Sequence, residues 1–469
     1  MPKIIVLGAG VCGLGAAMML ARDGHDVTVL ERDAEPVPAT LDEAVEAWPR
    51  RGVSQFRQAH YLLPRGREVL DANLPDVRDA LLAAGARRFD VLSLMPPHLA
   101  NGGPRPGDER FVTVTGRRTM VEWVFARAAE EEPGVEVRRG AGVEALVSRA
   151  TDGRPHVTGV RTEAGDELSA DLVVDAMGRR SRLPRMLADA GAAPAHEEAE
   201  DSGFIYYTRF FRARDGGVPQ HRTPMLTPFE AFSLLTLPGD NGTWSVTIYV
   251  SSGDRALKAL RHEAAWAAAV RACPLHAHWL DGEPTTEVLA MGGVVDRYRR
   301  FTRDGEPVAT GVLSIADASA CTNPSLGRGL ALGLMHAAHL RDFVRYHAEH
   351  PRELAEVWDT VTEAELTPWY RSTVREDRAR RGQLEARREG IAPPPPPDRD
   401  SGLCAALFVA AMHDPDVFRA LVETRVCLAT PEEVVARPGM AERILELSAR
   451  GVSMPPGPDR AQLLAALAA

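Results

Sequence analysis

Three glycines and an acidic residue stand at informative spacing within the first 31 positions. Residues 3–7 (KIIVL) are a short apolar run, rich in β-branched side chains, which predicts a strand buried on both faces. Gly8-Ala9-Gly10-Val11-Cys12-Gly13 follow at once. Residues 14–23 then read as a helix stopped at Gly24, and 26–30 as a second strand with Glu31 at its end. In this setting Gly8 permits the tight turn, Gly10 lets the backbone approach a pyrophosphate, and Gly13 allows helix and strand to pack closely. The helix start at Val11, Cys12 and Gly13 offers N–H groups to phosphate oxygens. Glu31, with Arg32 beside it, stands where an acid accepts from ribose hydroxyls. Together these residues predict a dinucleotide-binding βαβ unit.

A second constellation lies at 310–330. The apolar run TGVLSIAD ends in Asp317, and a loop through Pro324 leads to Gly327-Arg328-Gly329 and Leu330, which open a long helix. An aspartate at such a strand end can bind a ribityl hydroxyl. A glycine-rich helix start can present N–H groups to the pyrimidine edge of a flavin. FAD is therefore the expected cofactor.

The elements that must position these residues follow from the rest of the chain. With 469 residues, 45% hydrophobic and 26% charged, it is large enough for two or three domains of a soluble globular protein. The formal charge is -10 and no basic stripe occurs, which argues against nucleic-acid binding. Five scattered cysteines give neither a disulfide framework nor a metal spacing. No apolar run reaches the roughly 18 residues of a membrane span, and the N-terminus does not read as a signal peptide. The expectation is a reduced cytoplasmic protein without a metal. Helical patterns occupy 61–72 and 76–85, and Arg118 opens a helix to about Glu131. Gly140-Ala141-Gly142 mimics a second fingerprint, but no helix follows, so it reads as a strand-to-strand turn. The run DLVVDAMG closes a strand at Asp175 and Gly178. From 203 to 290 longer alternating strands predict an antiparallel sheet over a pocket, with Phe204, Tyr206, Phe232, Leu234 and Trp244 as candidate apolar wall residues. Residues 352–388 and 401–450 are helical, joined by the linker 393–397. The predicted fold is α/β (α+β). A Rossmann-like FAD domain at 1–185 and 296–347, to which 86–112 adds a segment shared with the substrate domain, carries an inserted β-sheet substrate domain at 186–295 and a helical C-terminal region at 348–469.

With these motifs in order, the chain resembles the flavoprotein monooxygenases of the para-hydroxybenzoate hydroxylase type. The resemblance rests on Gly8, Gly10, Gly13 and Glu31, then Asp175-Ala176-Met177-Gly178, then Ala316-Asp317, Pro324 and Gly327-Arg328-Gly329. Arg118 sits where such proteins place an arginine near the flavin. Segments 55–66 and 173–184 are most similar to bacterial epoxidases of polyether biosynthesis. Three departures stand out: Ala316 replaces the usual Gly, Ala331 the usual Asn, and the Asp–Gly pair is stretched to Asp175-x-x-Gly178. The resemblance implies reduction by NAD(P)H or a partner flavin reductase, then oxygen transfer from O2 to an apolar natural-product intermediate through a flavin C4a-(hydro)peroxide. His60 and Arg57 are the candidate residues for the flavin's front face, while Cys321 reads as a packing residue.

Rival chemistries lack their residues. Disulfide reductases need paired cysteines. Flavin halogenases need a catalytic lysine and a WxWxIP motif, yet the chain has only Lys3 and Lys258 and no two tryptophans two apart. An FAD-dependent dehydrogenase or oxidase on the same fold is the alternative reading.

Overall fold

The computed structural model describes residues 2–53, 55–215 and 217–468. Strand β1 (Lys3–Leu7), helix α1 (Val11–Arg22) and strand β2 (Asp26–Glu31) form the predicted βαβ unit, with β1 and β2 parallel from Lys3↔Asp26 to Leu7↔Leu30. Helix α2 (Arg118–Glu131) leads into β3 (Val135–Arg139), which pairs parallel with β2. Strand β4 (Leu172–Asp175) lies along the other side of β1. The lack of alternation in KIIVL has a direct cause: Ile4 and Val6 enter one core, Ile5 and Leu7 another, on opposite faces of the sheet. Gly140 to Gly142 do form a turn, between β3 and the antiparallel strand Val143–Thr151.

The inserted sheet is antiparallel and six-stranded. Its centre is β5 (Phe204–Arg212), β6 (Ser233–Pro238) and β7 (Thr243–Ser251), in the order β6-β7-β5. One face packs Trp244, Trp266, Trp279 and Phe211 under the helices Glu263–Arg271 and Arg460–Ala468. The other faces the cavity described below. Beyond this sheet the chain returns through β8 (Val312–Ser314), which completes a parallel sheet of order β8-β4-β1-β2-β3.

Helix α3 (Gly329–His347) packs on α1, where a Cβ on Gly15 would lie 2.9 Å from the Leu334 side chain. The charged segment after it is one rod interrupted by a π turn at Thr362–Leu366, just before α4 (Thr367–Glu389). Pro368 explains the interruption, because it cannot donate to the preceding turn and crowds the carbonyl four residues back. Helices α5 (Arg399–Ala411) and α6 (Pro415–Arg425) fold back over the N-terminal half. There Arg65 donates to Cys427 O at 2.9 Å, and Arg419 pairs with Asp108 at 2.7 Å. The mixed α/β architecture with a C-terminal helical layer matches the predicted class. Among the described residues no helix is long and apolar enough to cross a membrane.

Candidate functional site

A cavity of about 1260 Å³ runs from the glycine turn after β1 to the inner faces of α4, α5 and α6. That exceeds the roughly 300–1,000 Å³ typical of a single small-molecule pocket, as expected for a site holding a cofactor and a second molecule.

At the glycine end the backbone does most of the shaping. Gly8 has φ +106°, and a Cβ there would meet Ala176 O at 2.7 Å. A Cβ on Gly13 would fall 2.1 Å from Gly8 O, which forces glycine where α1 crosses the turn. Gly10 is different, because nothing of the protein lies within 4 Å of its Cβ position. Open space beside Gly10 and an α1 first turn without a capping side chain are what an anionic pyrophosphate requires. Val11 and Cys12 also line this end.

Glu31 is buried, and its carboxylate accepts from Ala9 N at 3.1 Å and from Asp33 N at 3.0 Å. Arg50, which sequence reasoning missed, completes the arrangement. It donates to Glu31 Oε2 at 3.2 Å and to Ala9 O at 2.6 Å, with its guanidinium over the Trp48 ring. No spacing in the stretch after Glu31, where the short helix Leu41–Ala47 forms, marks it. Arg32 lines the same end, and so does Gly142 of the fingerprint-like turn.

The second motif divides. Gly178, at φ +69°, lines the cavity together with Met177, Arg179 and Arg180. Asp175 does not line it. Its carboxylate turns inward, accepting from Ser181 Oγ at 2.5 Å and Met177 N at 3.0 Å, and burial raises its pKa to about 6. Sequence reasoning offered Asp175 as a cofactor contact, but the fold uses it to brace the turn that presents Gly178.

The third motif behaves likewise. Asp317 lines the cavity on a tight turn, where burial raises its carboxyl against the pull of Arg118 and Arg179. Ala316 adopts φ +52°, a left-handed conformation that accounts for the glycine usual at this place. Ala316 N–H donates to His336 Nδ1 at 3.2 Å, and His336 in turn faces Thr362 Oγ1 at 3.0 Å. Burial pushes His336 down to about 3, so its neutral ring can accept at Nδ1 and donate at Nε2. Pro324, Gly327, Gly329 and Leu330 line the cavity. The Arg328 side chain leaves it and donates to Thr373 Oγ1 at 2.8 Å and Glu376 at 3.1 Å in the C-terminal layer.

Arg118 does line the cavity, held to Glu122 at 2.8 Å. Of the two front-face candidates, only His60 reaches it. Burial, with Arg118 behind it, pushes the imidazole down to about 3, and Nε2 is buried without a partner among the described residues. Arg57 is exposed and outside the cavity, because its guanidinium caps Val45 O and Glu46 O at the end of the helix Leu41–Ala47.

The far end is an apolar chamber. Met225, Leu235 and Leu237 come from the sheet side, and Phe408, Phe418 and Leu421 from α5 and α6. Here the sequence-level choice of wall residues fails. Phe232, Leu234 and Trp244 pack on the opposite face, and Phe204 and Tyr206 sit in a small cluster with Leu384. Strand β6 (SLLTLP) is apolar on both faces, so alternation alone could not orient it. Neither lysine lines the cavity: Lys3 lies at the outer end of β1, and Lys258 is exposed in the turn Arg255–Arg261.

Comparison with known proteins agrees with this geometry. The family model for FAD dependent oxidoreductase matches residues 3–44, and that for tryptophan halogenase matches 118–197, the segment running from α2 through Gly178. Protein Rv3254 of Mycobacterium tuberculosis is 27% identical over 349 residues, 72% of each chain. The FAD-dependent monooxygenase dpchE of Colletotrichum higginsianum is 29% identical over 40% of this chain and 37% of its own. In fold, the chain is similar to PqsL, a probable FAD-dependent monooxygenase from Pseudomonas aeruginosa. The TM-score is 0.59 at 18% identity, over 82% of this chain and 97% of that one. Over these segments the chain is similar to FAD-dependent oxidoreductases.

Proposed function

We propose that the protein is an FAD-dependent monooxygenase that inserts one oxygen atom of O2, by epoxidation or hydroxylation, into an apolar natural-product intermediate. The observation that carries this reading is the continuity of the cavity: a dinucleotide cradle opens directly into a chamber walled by aliphatic and aromatic side chains. Bound FAD supplies the activation of dioxygen. The chain's own residues bind and orient. Gly10 and the start of α1 receive the pyrophosphate, Glu31 and Asp317 accept from the sugar hydroxyls, and Arg118 stands near Asp317 and His60. Leu237, Phe408 and Phe418 keep water from the reacting end. His60 stays neutral over the working pH range and serves as a hydrogen-bonding wall, not as a proton carrier.

Electrons come from NAD(P)H or from a partner flavin reductase. The inward turn of Asp175 supports the reductase, since its carboxylate is unavailable to a nicotinamide. Turnover of an alkene or aromatic substrate under heavy-isotope dioxygen tests the reading. One labelled oxygen in the product is expected. Unlabelled product together with hydrogen peroxide would transfer the protein to the dehydrogenases or oxidases.

A further inference from the structure

Ala316, at φ +52°, precedes Asp317 in a conformation that strains an alanine and that a glycine adopts freely. The structure around it is built to keep it there. Its N–H donates to Nδ1 of His336, on helix α3, at 3.2 Å. Three residues earlier on the same helix, a Cβ on Gly333 would lie 2.9 Å from Ala316 Cβ, so α3 is hollowed to receive the alanine methyl. The His336 ring lies nearly parallel on Trp358, with centroids 4.2 Å apart and planes at 12°. Trp358 Nε1 in turn donates to Ser314 O at 3.1 Å, two residues before Ala316. His336 Nε2 faces Thr362 Oγ1 at 3.0 Å, where the π turn begins. A backbone N–H can only donate, so Nδ1 is bare, and the neutral ring carries its proton on Nε2 and donates to Thr362. His336, Trp358 and Thr362 are all buried and none lines the cavity, whereas Asp317 does.

We infer that His336 is a positioning residue for the cofactor: from outside the cavity it holds Ala316 in its left-handed turn, with Trp358 and Thr362 fixing its ring, and so aims Asp317 at the sugar hydroxyls of FAD. The strain at Ala316 makes the hold necessary. Without an acceptor at Nδ1 the buried Ala316 N–H is left unpaired, and the turn relaxes toward negative φ, carrying Asp317 with it. FAD then binds only the fraction of molecules whose turn is still formed, and its apparent affinity falls by that fraction. A glycine at 316 removes the strain and with it much of the need for His336. A histidine that merely filled the core would behave otherwise: its replacements would change FAD affinity only as far as they changed stability, whichever ring atom they imitated.

This inference rests on reading Asp317 as an FAD contact, which Asp317→Ala tests by itself. A loss of affinity in Asp317→Ala beside native affinity in the His336 variants would overturn the role of His336 alone. The experiment titrates FAD into the full-length cofactor-free protein, followed by flavin fluorescence, and records thermal unfolding of the same cofactor-free samples. His336→Gln places its amide where Nε2 lies, serves Thr362 and leaves Ala316 N–H without an acceptor. It should bind FAD about tenfold more weakly. His336→Asn places its Oδ1 where Nδ1 lies and should keep the native affinity to within about threefold, although losing the ring from Trp358 lowers its unfolding temperature. Adding Ala316→Gly to His336→Gln should recover about fivefold, whereas Ala316→Gly alone should change the affinity by less than about twofold. Native affinity in His336→Gln, equal losses in His336→Asn and His336→Gln, or no recovery on adding Ala316→Gly would each overturn the proposal.

Discussion

The two ends of the cavity are built by opposite means. At the cofactor end, main chain and absent side chains make the shape: Gly8, Gly10 and Gly13 hold a turn that larger residues would fill or push apart. At the chamber end, long side chains make it. Helices α4 and α6 are pinned by arginine–carboxylate pairs to strands and loops far away in sequence, such as Glu198, Glu200 and Asp108. The first design fixes one ligand's backbone contacts and tolerates almost no change. The second fixes the frame and leaves the apolar wall free to vary with the substrate. One scaffold can thus hold a constant cofactor and accept different second molecules.

The sharpest way to break the contrast is at neighbouring glycines. Gly13→Val places a branched side chain where even a Cβ would be 2.1 Å from Gly8 O. A loss of at least about 3 kcal/mol is expected, enough to leave little folded protein. Gly10→Val should do the reverse, because no protein atom lies within 4 Å of the new Cβ. Thermal unfolding of the cofactor-free protein should hardly change, while FAD affinity collapses. A Gly10→Val protein that purifies with its FAD would mean that the pyrophosphate lies elsewhere.

The chamber's counterpart is Arg328→Met. The native guanidinium is buried, joins Thr373, Glu376 and Thr424 O, and lies over the Trp369 ring. Its removal leaves Glu376 paired with Arg425 but takes a buried donor from Thr373 and Thr424 O, at a cost of about 2–4 kcal/mol. Denaturant unfolding measures that loss. A shift below about 1 kcal/mol would show that the clamp is dispensable.

Asp317→Ala should have a smaller effect and act on the ligand. Losing a charge-assisted acceptor weakens FAD binding by about 1.5–3 kcal/mol, or roughly ten- to a hundredfold. Titration of the cofactor-free variant reads this directly, and unchanged affinity would remove Asp317 from the site.

The same contrast explains what could be read from the sequence. A backbone requirement leaves a local signature, so Gly8 to Glu31 and the Asp317–Gly329 stretch stand out within windows of some 25 residues. Side-chain clamps leave none, because Arg65 and Cys427 or Arg105 and Asp416 lie more than 300 positions apart. Arg50 leaves no local signature for a related reason: its partners Ala9 and Glu31 precede it across the helix Leu41–Ala47 and the loops that flank it. Asp175 and Arg328 were misjudged because a motif names positions and not side-chain directions, and both side chains turn away from the cavity. In β6 the doubly apolar pattern hid which of Leu234 and Leu235 faces the chamber.

The smallest expected effect separates the two residues that sequence alone placed together, Arg57 and His60. Arg57 spends its hydrogen bonds on Val45 O at 3.0 Å and Glu46 O at 3.3 Å, in contact with solvent. Water can replace both bonds, so Arg57→Ala should cost no more than about 0.5 kcal/mol of stability and leave flavin content unchanged. His60 lines the cavity with an unpartnered Nε2, and His60→Ala should therefore alter the bound flavin's absorption spectrum. The pH behaviour sharpens the distinction. Because burial holds the His60 imidazole near 3, it takes up no second proton between pH 5 and pH 9, and His60→Gln should leave the shape of the kcat profile as it was. Arg57→Ala should leave both the shape and the height as they were, to within about twofold. A loss of about tenfold in kcat for Arg57→Ala, with FAD retained, would show that segment 34–60 rearranges to carry Arg57 into the cavity during turnover.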